Sequence, residues 1–495
     1  MKRKVFYLLF LIVVIILFTW TVSVKTSLAS EENSKSDCLG FVVFVKELFE
    51  DVTTATGYRY NATDNQGYGL DTIKIIQISE RAYLGVHHYN MSHLYPESGI
   101  GNVVRLTNST DLLNWNFVKT LEQNASQPTI AKAPNGAYII AFEKEENTSS
   151  HLKLHYYSNL SALIRGPPSF TINIPRNLSE KHEGTPNFYN ITVIQNTMKA
   201  CIGFHYDNTT ANVDEVGTGL LTVQLNNPTN WTWHPKPQKK YNVKLREEWN
   251  VKGNIGDRDY GQIFGKNFTL QEGNLEPRSP TNYSTWRVFL YNHLINNFTL
   301  LNIKTHKGST SFGNPTFTFL KSPNGNDCVV VTCFLFSEGA ESGEAGELIF
   351  YKEFKTEPFN LTYKGNTYSV NVTSNSTISD FNFNETERSI NFNVSGPDGS
   401  KGYCIANLTN SLVQDLWSGN YMVLLDGAPC PFENWTDIEN TYIYINYTHS
   451  EHKITIIPEF STLAVLVDII LAPVIIIVRL RSRHEKRDFH NNSHI

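Results

Sequence analysis

Gln127-Pro-Thr-Ile-Ala-Lys-Ala-Pro-Asn-Gly136 reads as a short strand closed by a tight turn, and the pattern returns as Asn314-Pro-Thr-Phe-Thr-Phe-Leu-Lys-Ser-Pro-Asn-Gly325. Proline followed by Asn-Gly sets the turn. A third strand opens on the same proline, at Thr185-Pro186. Working outward, polar residues head five strand-like runs: Asp71, Gln127, Glu183, Asp257 and Asn314, at intervals of 56, 56, 74 and 57 residues. A period of this size signals a repeat architecture. Each repeat holds about four short strands, which predicts the blades of a β-propeller.

The first repeat predicts strands at Thr72–Ile78, Ala82–Tyr89, Val103–Leu106 and Phe117–Leu121. The second predicts Thr129–Ala133, Ala137–Phe142, Leu152–Tyr157 and Phe170–Ile174. The fourth predicts Tyr260–Phe264, Asn267–Leu270, Trp286–Tyr291 and Phe298–Ile303. The fifth offers only Thr316–Leu320, Cys328–Phe336 and Glu347–Phe354, so its outer strand is expected from the N-terminal run Phe41–Leu48. Such closure pairs edges that would otherwise stay bare. No stretch of helical period stands out, and the expected class is all-β. Residues 31–356 form the five-bladed propeller in this reading. Residues 357–457, with a hairpin around Lys364-Gly365-Asn366 and strands at Ser389–Val394, Tyr421–Leu425, Thr441–Tyr447 and Lys453–Ile457, form a small immunoglobulin-like β-sandwich.

The ends carry targeting signals. Lys2, Arg3 and Lys4 precede an apolar run from Val5 to Val24, with Ser27 and Ala29 as a small-x-small site. Residues 1–30 therefore read as a signal peptide or, uncleaved, as a signal anchor. Residues 458–495 hold an apolar span, Ser461–Val478, interrupted by Asp468 and kinked by Pro473, then Arg479, Arg481, Arg483, Lys486 and Arg487. A basic end orients the tail inside and the body outside. The expected location is the cell surface, membrane-anchored, with the bulk of the chain extracellular. Asn-x-Ser/Thr occurs 21 times between Asn61 and Asn446, which fits an exported, N-glycosylated exterior. The net charge of -5 leaves no basic footprint for nucleic acid. The six cysteines (Cys38, Cys201, Cys328, Cys333, Cys404, Cys430) allow 15 pairings. Cys328 and Cys333 fall on opposite faces of one strand. Cys404 with Cys430 is the pairing a shared later domain favours; buried free thiols are the alternative.

In a blade the second strand returns to the face where the first began. That face therefore collects Asp71, Gln127, Glu183, Asp257 with Arg258 and Asp259, and Asn314. It also collects the second-strand ends His87-His88, Glu143, His205, Glu272 and Glu338. Acids and histidines around one mouth suit acid/base chemistry on glycosidic bonds. Each has a structural reading beside it: Asp71 as a turn cap, Glu183 paired with Lys181 or Arg176, and Asp257-Arg258-Asp259 as an inter-blade salt-bridge knot. His449 and His452 are loosely spaced, and no metal or cofactor is expected.

Glu183-Gly-Thr-Pro186, Ser109-Thr-Asp-Leu-Leu-Asn-Trp115 and Tyr157-Ser-Asn-Leu160 on this repeat resemble the five-bladed glycosidases of glycoside hydrolase family 43 and its relatives in families 32 and 62. The resemblance implies Asp71 as base and Glu183 as general acid; Asp257, from the same ring of mouth carboxylates, is the expected supporting catalytic carboxylate. Gln127, His88, Glu143, His205, Arg258, Asp259, Glu272 and Asn314 would contact substrate. Gln127 stands where that family has an acid, and Thr72 follows Asp71 where it has proline. Ser109-Thr-Asp111 with Trp115 also resembles the Asp-box of sialidases, a structural turn. Ile457-Pro-Glu-Phe-Ser461 and the basic end resemble the PEF-type sorting tails of archaeal surface proteins. Two functions follow: a glycan-hydrolysing propeller, or a non-catalytic adhesin for a glycan or glycoprotein. A structural surface-layer component is a third.

Overall fold

The computed structural model describes residues 40–92, 101–277 and 283–459. The two terminal membrane readings and Cys38 lie outside them. The chain divides after Thr356 into two compact units.

The first unit consists of five four-stranded antiparallel sheets. Their inner strands are Asp71–Ser79, Ala125–Lys132, Glu183–Ile194, Ile255–Ile263 and Phe312–Lys321. These lie side by side in cyclic order. The ring closes where Thr316 and Thr318 of the fifth donate to the carbonyls of Ile73 and Ile75 of the first, at 2.9 and 2.7 Å. This is a five-bladed propeller. Val, Ile, Leu and aromatic residues alternate into the spaces between blades. Leu84, Val86, Val104 and Leu106 of the first blade meet Ile130, Ile140 and Phe142 of the second in one buried cluster. The Ser109–Trp115 segment is a turn: Asp111 Oδ1 accepts the N–H groups of Leu113 and Asn114 at 3.0 and 2.7 Å, and Trp115 is buried with its indole N–H on the Leu112 carbonyl.

The fifth sheet does take its outer strand from the N-terminal side, but from Gly57–Arg59, which pairs with Ile349–Tyr351. The expected strand Phe41–Leu48 lies instead in a helix, Gly40–Glu50. The physical reason is the burial period. Phe41, Val42, Phe44, Val45, Leu48 and Phe49 are buried, while Val43 and Glu47 are exposed. That spacing makes one stripe of a helix and does not alternate as a strand would. The stripe packs Phe41 against Phe264 and Phe268, Phe44 against Phe354, and Phe49 against Phe317. Further helices at Leu160–Arg165, Lys239–Glu247 and Asn410–Trp417 also correct the expectation of no helical stretch.

The second unit has two five-stranded sheets around one core. Thr356–Tyr363 and Asn366–Ser374 lie in one, joined through Lys364 and Gly365, both with positive φ as a two-residue hairpin requires. Val370, Val372, Cys404 and Ile443 of one sheet meet Ile390, Phe392, Ile454 and Ile456 of the other. Cys404 and Cys430 form no disulfide, so their expected pairing is corrected. Cys404 is enclosed in the core, where burial pushes its thiol far up; the Cys430 thiol donates to the Pro431 carbonyl at 3.3 Å. No described helix is long and apolar enough to cross a membrane.

Candidate functional site

Every inner strand breaks register where it starts. The breaks fall between Asp71 and Lys74, Ser126 and Thr129, Gly184 and Asn187, Asp257 and Asp259, and Gly313 and Thr316. Thr72, Gln127, Thr185 and Asn314 sit at four of these bulges with φ between 50° and 57°. A left-handed conformation costs a non-glycine residue roughly 1–2 kcal/mol, so the surroundings must hold it. The recurring prolines 128, 186 and 315 follow directly. Proline lacks an N–H, and a broken ladder is where a strand tolerates that loss. The bulges also correct the even spacing: Gln127 and Asn314 occupy the bulge, Asp71 precedes its bulge residue by one position and Glu183 by two. In the fourth blade the bulged residue is Arg258.

A side chain from the preceding blade grips the bulge N–H. His88 Nδ1 accepts from Gln127 at 3.4 Å, Glu272 Oε2 from Asn314 at 2.5 Å, and Glu347 Oε2 from Thr72 at 3.1 Å. Some mouth acids thus hold the ring together. Burial and the Arg258 charge lower His88 to about 3, so it is neutral, with Nδ1 as acceptor and the proton on Nε2. Glu347 escaped the sequence reading. It opens a third strand, Gly346–Phe354, and third strands start on the same face.

A cavity of about 510 Å³ opens at this face. Gln127, Thr185, His205, Arg258, Glu272 and Asn314 form its polar side. Arg258 is only 6% exposed. It reaches from the fourth blade to the second, donating to Gln127 Oε1 at 2.7 Å, with Glu272 Oε1 at 3.6 Å. Its lining also includes the rings of Tyr283, Trp286, Phe334 and Phe336. The Tyr283 ring stacks on Phe336 at 4.8 Å and lies 6.4 Å from Trp286, each pair inclined by 20°. Glu143 stands behind His205, 3.9 Å from its Nε2. Gly184 makes room for it, because a Cβ there would lie 1.9 Å from Glu143 Oε2. Burial raises Glu143 above the usual carboxylate range.

Asp71 adjoins this group through Glu347, and burial raises its carboxyl from 3.8 to about 7. The unfolded chain ionises near 3.8 and the folded one near 7, so the folded form holds the extra proton between them. Stability therefore falls as pH rises through that window and levels off above it. Asp71→Asn is expected to raise the melting temperature at pH 8 and change it little at pH 4. An equal effect at both pH values would contradict the burial of this charge.

Besides His88, which was expected to contact substrate and instead holds the Gln127 N–H, two further expected site residues serve elsewhere. Glu183, read as general acid, gives Oε1 to the backbone N–H groups of Asn177, Leu178 and Ser179 at 2.7, 2.5 and 3.1 Å. It anchors a loop, with burial raising its carboxyl and those bonds lowering it. Glu183→Gln is expected to cost about 1–2 kcal/mol in denaturant unfolding, since a charged acceptor is exchanged for a neutral one. Glycan affinity should stay within about twofold. Asp259, read as substrate-binding, pairs with Lys74 at 2.5 Å and accepts the Phe317 N–H at 2.8 Å, both groups buried. Asp257 sits on the inner strand opposite Gln271. Among the described residues no cluster of His, Cys, Asp and Glu could hold a metal ion.

No family model matches the chain, and no curated protein matches it. Solved structures similar to it include a GH43 endo-arabinanase from Bacillus licheniformis, 11% identical, covering 62% of this chain and 99% of its own, with a TM-score of 0.36. An α-L-arabinofuranosidase from Lactobacillus brevis is 10% identical over 62% and 97% of the two chains, with a TM-score of 0.37. A GH32 β-fructofuranosidase from Bombyx mori is 9% identical over 86% and 98%, at 0.34. Likeness at this level transfers no chemistry to this chain, whose site stands on its own geometry.

Proposed function

We propose that the propeller mouth binds an extracellular glycan, free or on a glycoprotein. The observation that carries this reading is the mixed lining of the cavity, where the stacked rings of Tyr283, Trp286 and Phe336 accompany the Arg258–Gln127–Glu272 network. A sugar ring has an apolar C–H face and a rim of hydroxyls. Aromatic faces cover the first, and a few fixed donors and acceptors orient the second. A glycan array probed with the secreted protein would identify the sugar. Trp286→Ala is expected to weaken binding of the best array ligand about tenfold to a hundredfold in calorimetry. An unchanged affinity would remove the aromatic rings from the site.

Hydrolysis is the second reading, favoured by one observation. Asp71, at about 7, holds a proton near neutrality, as a general acid requires. In that reading Asp71 protonates the leaving oxygen and Glu272 activates water, without Glu183. Release of reducing ends from the bound glycan, abolished by Asp71→Asn, would support it; no release from the wild type rejects it. Residues 1–30 and 458–495 support a place on the outer cell surface, which fractionation and protease shaving of whole cells test.

A further inference from the structure

Three rings stand together at the outer edge of the fifth blade. Tyr58 stacks on His306, with centroids 4.3 Å apart and planes inclined by 29°. Tyr60 meets both edge-on, at 5.7 and 5.9 Å. The Tyr60 hydroxyl lies 3.0 Å from His306 Nδ1 and accepts the His306 backbone N–H at 3.2 Å. Glu344 holds the turn that carries His306. Its carboxylate accepts from Thr305 Oγ1 and Ser309 Oγ, each at 2.6 Å, and from the Lys307 N–H at 3.0 Å. Single exposed apolar side chains are ordinary on a protein surface. Tyr58 differs in being fixed by stacking while 45% exposed, and it is the one aromatic among the large exposed hydrophobic side chains of the described residues. The strand that presents it, Gly57–Arg59, is three residues long, lies at the edge of its sheet and completes the fifth blade. Two residues past that strand the chain bends at Asn61, whose φ of 48° is a left-handed conformation that asparagine tolerates. Asn61-Ala62-Thr63 is a sequon, and Asn61 is exposed. Among the described residues its amide nitrogen has no hydrogen-bond partner. The sequon residue Asn208, by contrast, donates its Nδ2 to Glu215 at 3.1 Å.

We propose that Asn61 carries an N-linked glycan whose first sugar lies on the Tyr58–His306 platform and fastens the closing strand to the fifth blade. The transfer forms a bond from Asn61 Nδ2 to the anomeric carbon of a glycosyl-phosphate donor. The bond from that carbon to the phosphate oxygen breaks, the carrier phosphate leaves, and the amide gives up one proton. The C–H face of the attached sugar then covers the open Tyr58 ring. Because the sugar is tethered three residues away, its effective concentration at the ring is high and no affinity for free glycan is needed. The contact joins two segments of the chain, around Tyr60 and His306, that are 246 residues apart. The glycan takes this seat whatever the mouth binds.

The test uses the full chain secreted from a glycosylating host. Peptide mapping should find sugar on Asn61. Wild type, Asn61→Asp, Tyr58→Ala and the double variant then close a cycle in which the strain of a left-handed aspartate cancels. Asn61→Asp removes the glycan and keeps the side-chain size. It should lower the melting temperature by about 2 °C in the wild-type background, as the loss of one stacked contact does, and change it little in Tyr58→Ala. The same four proteins made without glycosylation should show equal Asn61→Asp effects in both backgrounds. A second readout does not require the Tyr58→Ala variant to fold. Nitration of Tyr58 by tetranitromethane, located by mass spectrometry, should be at least threefold faster in Asn61→Asp than in the glycosylated wild type, with the rate at Tyr403 of the second unit unchanged. An unoccupied Asn61, equal losses in the two glycosylated backgrounds, or a Tyr58 nitration rate indifferent to the glycan would each overturn the proposal.

Discussion

Arg258→Ala is expected to lower glycan affinity about a hundredfold. The guanidinium lines the cavity, bonded to Gln127 and flanked by Glu272. A hydrogen bond to a charged group is worth about 1.5–3 kcal/mol, so one or two lost to a sugar hydroxyl correspond to one to two decades or more. The change also removes the cation that faces Glu272, Glu347 and Glu143, whose attraction sustains its charge against burial. Unpairing a buried charge typically costs about 3–5 kcal/mol, so a lower melting temperature is expected as well. Arg258→Lys separates the two effects. It keeps a positive charge but cannot reproduce the planar fork, so affinity should remain low while part of the stability returns. Wild-type affinity in Arg258→Ala, measured by calorimetry on a sample with a single cooperative melt, would end the reading of this mouth as a glycan site.

The second large effect lies deeper in the channel. Lys74 and Asp259 join the first blade to the fourth across the ring, and Lys74 also donates to the Phe317 carbonyl of the fifth at 2.7 Å. Lys74→Met leaves the Asp259 carboxylate buried with only the N–H groups of Phe317 and Tyr260. A loss of about 3–5 kcal/mol is expected in denaturant unfolding. Adding Asp259→Asn should restore part of it, because the stranded charge is gone. A double variant that loses the sum of the two single losses would show that the pair is not coupled.

Much of the fold was legible along the chain because it rests on local chemistry. The Pro-Asn-Gly turns at 134–136 and 323–325, the proline at three strand mouths and the runs of β-branched and aromatic residues are each readable within ten residues. The helix Gly40–Glu50 replaces the expected strand because the unbroken apolar run Phe41–Val45 fits a buried strand and a helix stripe equally well. By residue type only Lys46 and Glu47 interrupt the run, and the exposure of Val43 exists only in the folded chain.

The sequence by itself determined five repeats, an all-β chain and the face on which polar residues gather. Period and strand order settle those, since alternation and turn chemistry act between neighbours. Tertiary structure alone decided which of the gathered residues share a pocket. A bulge inserts a residue into one strand and re-aims every side chain before it. Counting positions cannot register that shift, so Glu183 was read as an acid facing the channel when its carboxylate binds the 177–179 backbone. Arg258, read as one of several contacts, became the centre of the site because three blades converge on it, and that convergence exists only once the ring has closed.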